Sequence, residues 1–155
     1  MPLRLSTGLR NAMMSATGGK SFAEAMQDGT LHIYTGAQPT TANDPETGTL
    51  LVRLTLASGA FTSGVATNGL EFGDATGGSV GKKAGEVWSG VAIASGTAGW
   101  FRFYANTVVT GSSTTAVRFD GACGTSGAQC NMGSTTVTLD GTVTVDTVNV
   151  TLPAS

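Results

Sequence analysis

The chain has 155 residues, which is enough for one domain that buries about two-thirds of the surface its unfolded form exposes. Only 12% of the residues are charged, 40% are hydrophobic, and the formal net charge is -2. This composition excludes a disordered chain and leaves no basic field that would attract phosphates. We therefore expect a folded protein that does not bind nucleic acid.

The sequence contains no apolar run of the length that a membrane span needs. Its first residues also lack the apolar core of a secretory signal peptide. From this we expect no membrane contact and synthesis in a cytoplasm without export by that route.

The first segment has helical periodicity. Leu5, Leu9 and Met13 recur at the spacing of one helix face, and Gly18-Gly19 marks its end. The pattern predicts a short amphipathic helix with a narrow apolar stripe.

A second short helix is predicted directly afterwards, because Ser21 and Glu24 have the spacing of a capping box and Gly29 suits the position past the end. Residues 1–29 are then a helical N-terminal region, which we expect to dock onto another protein. The expected docking residues share this apolar helical spacing and are Leu5, Leu9, Met13, Phe22 and Met26.

After Gly29 the apolar period changes from 3.6 to 2, so residues 30–155 are predicted to form a body of strands. Phe101 and Phe103, for example, alternate with Arg102 in a predicted central strand. About eight such strands, without βαβ alternation, favour a mainly β fold, either a β-sandwich or a jelly-roll-like barrel.

Strand phase predicts which side chains form the core. In residues 87–94, the larger aliphatic side chains are expected to point inward, opposite Trp88 and the small residues. The predicted core residues chosen by phase are Leu54, Val91, Ile93, Phe101, Phe103 and Val150.

The last strand carries a change of phase. Val143 and Val145 occupy odd positions, whereas Val148 and Val150 occupy even ones. A β-bulge near Asp146-Thr147, or a crossing between sheets, is needed to bury both pairs.

No catalytic constellation emerges from the sequence. His32 is the single histidine and has no visible nucleophile or base as partner, which argues against Ser-His-Asp and Cys-His chemistry. The Gly-rich segment 73–85 lacks a phosphate-binding order and fits an edge hairpin or a long loop. We expect no enzyme, no cofactor and no metal site.

Cys123 and Cys130 are separated by six residues, a spacing that fits neither a redox CxxC pair nor a metal-ligand pair. Three outcomes stay open at this point: a local disulfide, a cross-link to a neighbouring subunit, and two free thiols. A bridge would form only outside a reducing cytoplasm.

Six segments spread along the whole chain stand out as Gly- and Thr-containing motifs: LSTGLRNAM (5–13), LHIYTGAQP (31–39), TGTLL (47–51), SGTAGWFRF (95–103), GTSGA (124–128) and TLPA (151–154). Together they resemble a family of small proteins encoded among the structural genes of tailed bacteriophages and prophages. In that family, small or aliphatic residues are expected where Cys123 and Cys130 stand here.

The resemblance implies a virion structural protein, made in the cytoplasm of the host bacterium. Decoration of the capsid is the first expectation, with the major capsid protein as partner and self-association as a homo-oligomer. A head-tail collar or tail-associated position, with neck or tail proteins as partners, is the alternative within this class. A carbohydrate- or receptor-binding module, with Trp88, Trp100 and Tyr104 as an aromatic platform, is the alternative outside it.

Overall fold

The computed structural model describes residues 2–154 and is mainly β, with 38% strand and 8% helix. The elements in chain order are β1 (Arg4–Leu5), α1 (Thr7–Met14), α2 (Phe22–Ala25), β2 (Thr30–Thr35), β3 (Leu50–Leu56), β4 (Ser79–Gly81), β5 (Trp88–Val91), β6 (Gly96–Tyr104), β7 (Arg118–Gly124), β8 (Cys130–Met132), β9 (Thr136–Val137) and β10 (Thr142–Thr151).

Seven strands form a closed barrel in the hydrogen-bonded order β7-β8-β10-β5-β3-β2-β6 and back to β7. All neighbours in this ring are antiparallel except β7 and β8. Strands β1, β4 and β9 add to the ring on β7, β10 and β6. The predicted mainly β fold is confirmed. Neither the two stacked sheets of a sandwich nor jelly-roll connectivity is confirmed, because one continuous ring of pairings describes the body.

The centre of the core is an aromatic cluster. The ring centroid of Phe72 lies 5.1 Å from that of Phe22, 5.0 Å from that of Phe103 and 5.4 Å from that of Trp88. Phe103 in turn stacks on Phe119 with centroids 5.5 Å apart. Offset and edge-to-face contacts of this kind stabilise beyond the area they bury.

The predicted core positions Leu54, Phe101, Phe103 and Val150 are all buried. Each of them points inward, as the period-2 phase of its own stretch of strand predicts. Those four predictions are confirmed.

The phase predicted for β5 is wrong. Val91 and Ile93 are 51% and 49% exposed, whereas Trp88 is completely buried. The indole occupies the barrel interior, and a Cβ on Gly90 would run into the backbone carbonyl of Arg53 on β3. The small residues of this segment are therefore those that let β5 approach β3, and the aliphatic ones face outward.

The predicted bulge in β10 is confirmed. The register of β10 against β8 shifts between Val145 and Thr147. Val143 lies before the shift and Val148 after it, and both are buried. The extra residue thus restores the inward phase of the second half of the strand.

Both predicted helices form, but the first begins only after Leu5, which lies in strand β1 and pairs with β7 instead of starting the helix. Ser6 caps α1, and Ser21 with Glu24 makes the complete capping box of α2. Leu9 and Met26 are fully buried in the same hydrophobic cluster as the barrel strands. Residues 2–29 and the barrel therefore share one core.

Candidate functional site

The outer faces of β2, β6 and β7 form a second buried layer, opposite the apolar core. The layer lies under two loop segments, residues 36–48 and 106–117, and it contains charged and aromatic side chains instead of aliphatic ones. Its members alternate with core residues along the strands and are His32, Tyr34, Trp100, Arg102, Tyr104, Arg118 and Asp120. We call it the polar layer.

Arg102 and Asp120 form the centre of the polar layer. They are cross-strand partners on β6 and β7, and both side chains are 0% exposed. The Arg102 guanidinium donates to both carboxylate oxygens of Asp120, from Nε at 2.6 Å and Nη2 at 2.8 Å. A third hydrogen bond, from Arg102 Nη1, reaches Glu46 Oε1 at 2.9 Å. This bidentate arrangement is the strongest geometry available to an Arg–carboxylate pair.

The charges of this pair are held by opposing effects. Burial raises the pKa of the Asp120 carboxyl, and the hydrogen bonds from Arg102 limit that rise. Burial lowers the pKa of Arg102, but the hydrogen bond and the charge of Asp120 raise it by more. The net pKa is above the usual arginine value, so the guanidinium is protonated. Removing either partner would leave a buried charge without compensation.

Arg118 ties the two loop segments to the barrel. Its Nε donates to the Ala42 carbonyl at 2.7 Å, and Nη1 and Nη2 donate at 2.7 Å to the carbonyls of Val109 and Gly111. A further bond from Nη2 reaches the Asn43 carbonyl at 3.1 Å. One fully buried side chain therefore satisfies backbone acceptors in both segments at once.

The tyrosines and the histidine complete the polar layer. Tyr104 donates to Glu46 Oε1 at 2.6 Å, and its hydroxyl lies 3.2 Å from that of Tyr34. The His32 ring packs 4.7 Å from the Tyr104 ring. Burial, followed by the charge of Arg53, lowers the pKa of His32 to about 3. His32 is therefore neutral at physiological pH.

The chemistry of the polar layer is that of a scaffold. The guanidinium and phenol groups have partners within the chain. The carboxylate of Asp120 faces the Arg102 guanidinium, and that of Glu46 faces the guanidinium groups of Arg102 and Arg118. The polar layer holds segments 36–48 and 106–117 against the outer wall of the barrel.

The expected docking residues lie mainly inside the protein. Leu9, Phe22 and Met26 are buried in the core, and Leu5 and Met13 are partly buried against it. The three buried side chains present no surface to a partner, whereas Leu5 and Met13 keep part of theirs exposed. The structure therefore does not place the N-terminal helices as an exposed docking arm, because their apolar stripes close the barrel's own core.

The expected aromatic platform is likewise internal. Trp88, Trp100 and Tyr104 are each 0–1% exposed. The Trp100 indole stacks on Tyr34 with ring centroids 4.6 Å apart and donates to the Thr47 carbonyl. These rings are engaged within the fold and offer no face to a sugar.

An apolar patch lies on the outside of the barrel. Val91 and Ile93 are exposed there, and Leu139, which is 51% exposed, lies in the turn before β10. The turn that carries Leu139 is fixed to this segment, because the Asp140 amide donates to the Ala92 carbonyl at 2.9 Å. We call Val91, Ile93 and Leu139 the β5 patch. The sequence missed it because alternation reveals two faces but not which of them points inward.

The two cysteines meet at the contact between β7 and β8, where Cys123 and Cys130 are register partners. They are 4.1 Å apart and are not bonded to each other. Cys130 is buried, which excludes it from reaching a neighbouring subunit, and Cys123 is partly exposed. A hydrogen bond with Cys130, followed by burial, raises the pKa of the Cys123 thiol well above its usual value.

Comparisons with protein-family models, curated proteins and solved structures found no match for this chain. Among residues 2–154, no group of three or more His, Cys, Asp or Glu side chains is arranged to hold a metal ion. Over the same part of the chain, the helices are too short to cross a bilayer.

Proposed function

We propose that this protein is a structural component of a tailed-bacteriophage virion that binds an assembled surface of coat subunits, as a capsid decoration protein does. The observation that carries the proposal is the β5 patch, three exposed aliphatic side chains at the end of β5, in the bend that follows it and in the turn before β10. Its support from the sequence is the resemblance, along the whole chain, to proteins encoded among phage structural genes.

The way the barrel closes supports contact through side chains. Each of the seven ring strands has a neighbour on both sides, so its backbone hydrogen-bonding groups are engaged within the ring. Outside the short added strands β1, β4 and β9, which each have one strand neighbour, the ring offers a partner no free edge to extend. Association with the rest of the barrel wall is then expected to depend on side-chain patches such as Val91, Ile93 and Leu139.

The surroundings of the β5 patch suit a protein partner. Thr142 on β10 is the register partner of Val91, exposed Arg53 lies on β3, the other neighbour of β5, and exposed Asp140 follows Leu139. An apolar centre with a polar rim is the arrangement found in protein interfaces, where charged residues are depleted at the centre. A patch of three side chains gives a weak single contact, which suits a protein that binds a repeated lattice in many copies.

The test is incorporation of variants into particles. Ile93→Asp places a charge in the β5 patch at an exposed position, so the fold is retained and incorporation into purified virions drops at least tenfold, as measured by quantitative mass spectrometry. Val65→Asp is the matched control, because Val65 is 47% exposed and lies outside the patch. It is expected to incorporate like the wild type.

Electron microscopy of labelled wild-type particles then locates the protein. Label over the capsid surface supports decoration, and label at the neck or tail moves the protein to the collar or tail-associated alternative. Absence of the chain from purified particles overturns the virion proposal, and equal incorporation of both Asp variants overturns the role of the β5 patch.

A further inference from the structure

The ring of the barrel has one seam that differs from the rest. Strands β7 and β8 run parallel and share only two register pairs, Cys123 with Cys130 and Gly124 with Asn131. The other contacts around the ring are antiparallel pairs of strands. Both cysteines of the chain therefore face each other across its only parallel contact within residues 2–154.

The connection between these strands holds the cysteines in place. Residues 125–129 join β7 directly to β8, and Asn131 closes this loop by accepting from the Ala128 amide at 3.1 Å and donating to the Ala128 carbonyl at 2.9 Å. Gln129 Oε1 accepts from the Ala122 amide at 2.9 Å. These hydrogen bonds hold the loop on both sides of the seam. The two thiols are therefore kept next to each other by the fold.

The backbone spacing suits a covalent bridge. Neighbouring strands lie about 4.8 Å apart, which is inside the Cα separation of about 4.4–6.8 Å that a disulfide tolerates. The two cysteines already approach to 4.1 Å. Formation of the bond therefore requires side-chain rotation and no separation of strands.

We propose that Cys123 and Cys130 are a redox-responsive pair that closes to an intramolecular disulfide across the β7–β8 seam when the protein meets a low-molecular-weight disulfide. The raised pKa of the Cys123 thiol makes its thiolate scarce at neutral pH, so the reaction is expected to be slow there and to quicken as the pH rises. Once formed, the partly exposed Cys123 thiolate attacks the small disulfide, forming a mixed disulfide and releasing one thiol. The Cys130 thiolate then attacks the Cys123 sulfur and releases the second small thiol. The protein loses two protons and two electrons, and the small disulfide is reduced to two thiols.

Unequal exposure sets the order of these steps. Only Cys123 is reached from outside, whereas Cys130 is completely buried. A small disulfide therefore reacts first at Cys123. Cys130 then displaces the attached small thiol before a cysteine of a second copy of the protein can do so. The inference is independent of the virion proposal, because it depends only on the geometry of the seam.

The experiment treats the folded, full-length protein with oxidised glutathione and compares it with protein kept in reduced glutathione. The expected product has no free thiol after denaturation, a mass lower by about 2 Da, a Cys123–Cys130 cross-linked peptide and the mobility of a monomer. Amide exchange in residues 121–131 is expected to slow about tenfold, while exchange in β2 and β3 is unchanged.

The matched control is Cys123→Ser, a near-isosteric change at the partly exposed position. This variant is expected to keep its Cys130 thiol and to take up no glutathione. The proposal is overturned if the wild-type protein retains both thiols, accumulates a stable glutathione adduct or forms disulfide-linked dimers. An adduct on Cys130 of the variant contradicts the order of exposure and overturns it as well.

Discussion

The burial of His32 makes the stability of the protein depend on pH. The imidazole lies in the polar layer beside Tyr104, and its pKa of about 3 is below the usual histidine value of 6.5. Between about pH 3 and pH 6.5, His32 is therefore protonated in the unfolded chain but neutral in the folded protein. Stability associated with His32 is fully present above about pH 6.5 and is lost as the pH falls towards 3.

We predict that the free energy of unfolding of the wild type falls, relative to a His32→Phe variant, by up to about 1.4 kcal/mol per pH unit below pH 6.5. Phenylalanine keeps a ring against Tyr104 but cannot titrate. Urea denaturation at several pH values measures the difference. Parallel profiles for the two proteins, or an NMR titration of the imidazole near pH 6.5, would contradict the prediction.

Some residue roles were accessible to sequence reasoning and others were not. The burial of Phe101 and Phe103 followed from alternation alone, because Arg102 between them marks the opposite face. The pairing of Arg102 with Asp120 and Glu46 was missed, since the three residues come from distant positions. A signal was present: two charges occur at mid-strand positions in a chain with few charged residues.

At the level of elements, local signals were the reliable ones. The capping box of α2 and the bulge in β10 each depend on residues within a few positions of one another, and both were confirmed. The choice of strand partners was not predictable in this way. β10 pairs with β5, β8 and β4, and no periodicity specifies which strand lies next to which.

The loop segments 36–48 and 106–117 depend on one side chain, which makes their order testable. We predict that Arg118→Lys accelerates amide exchange in both segments by at least tenfold, because a single ammonium group cannot reach the carbonyls of Ala42 and Gly111 together. The stability cost is expected to be about 1–3 kcal/mol for the acceptors left without donors.

The matched control for this prediction is Arg53→Lys, which makes the same chemical change at an exposed position on β3. Its exchange pattern should equal that of the wild type. If Arg118→Lys leaves both segments as protected as before, then other contacts hold the loops and the role given to Arg118 is wrong.

For the whole molecule, closure of the ring is the feature on which stability depends. Removing β10 would open it and leave the edges of β5 and β8 without partners. We predict that a chain ending at Gly141 aggregates or stays unfolded, because it loses four buried valines and exposes two strand edges. A chain ending at Leu152 retains β10 and is expected to keep the wild-type circular dichroism spectrum and melting transition.

A cooperative melting transition of the chain ending at Gly141 would show that the remaining strands form a stable open sheet. That result would also mean that the core defined by Phe72 and its aromatic neighbours is sufficient without the ring.

The place of β10 in the ring has a consequence for how the protein is made. β5 and β8 leave the ribosome before β10, and each must wait for it to gain its second neighbour. Throughout most of translation the nascent chain therefore carries incomplete sheet edges, and the ring closes only after residue 148 has emerged. Premature termination or slow elongation within residues 142–148 would expose those edges to neighbouring nascent chains, so this part of β10 is where translation speed is expected to affect yield.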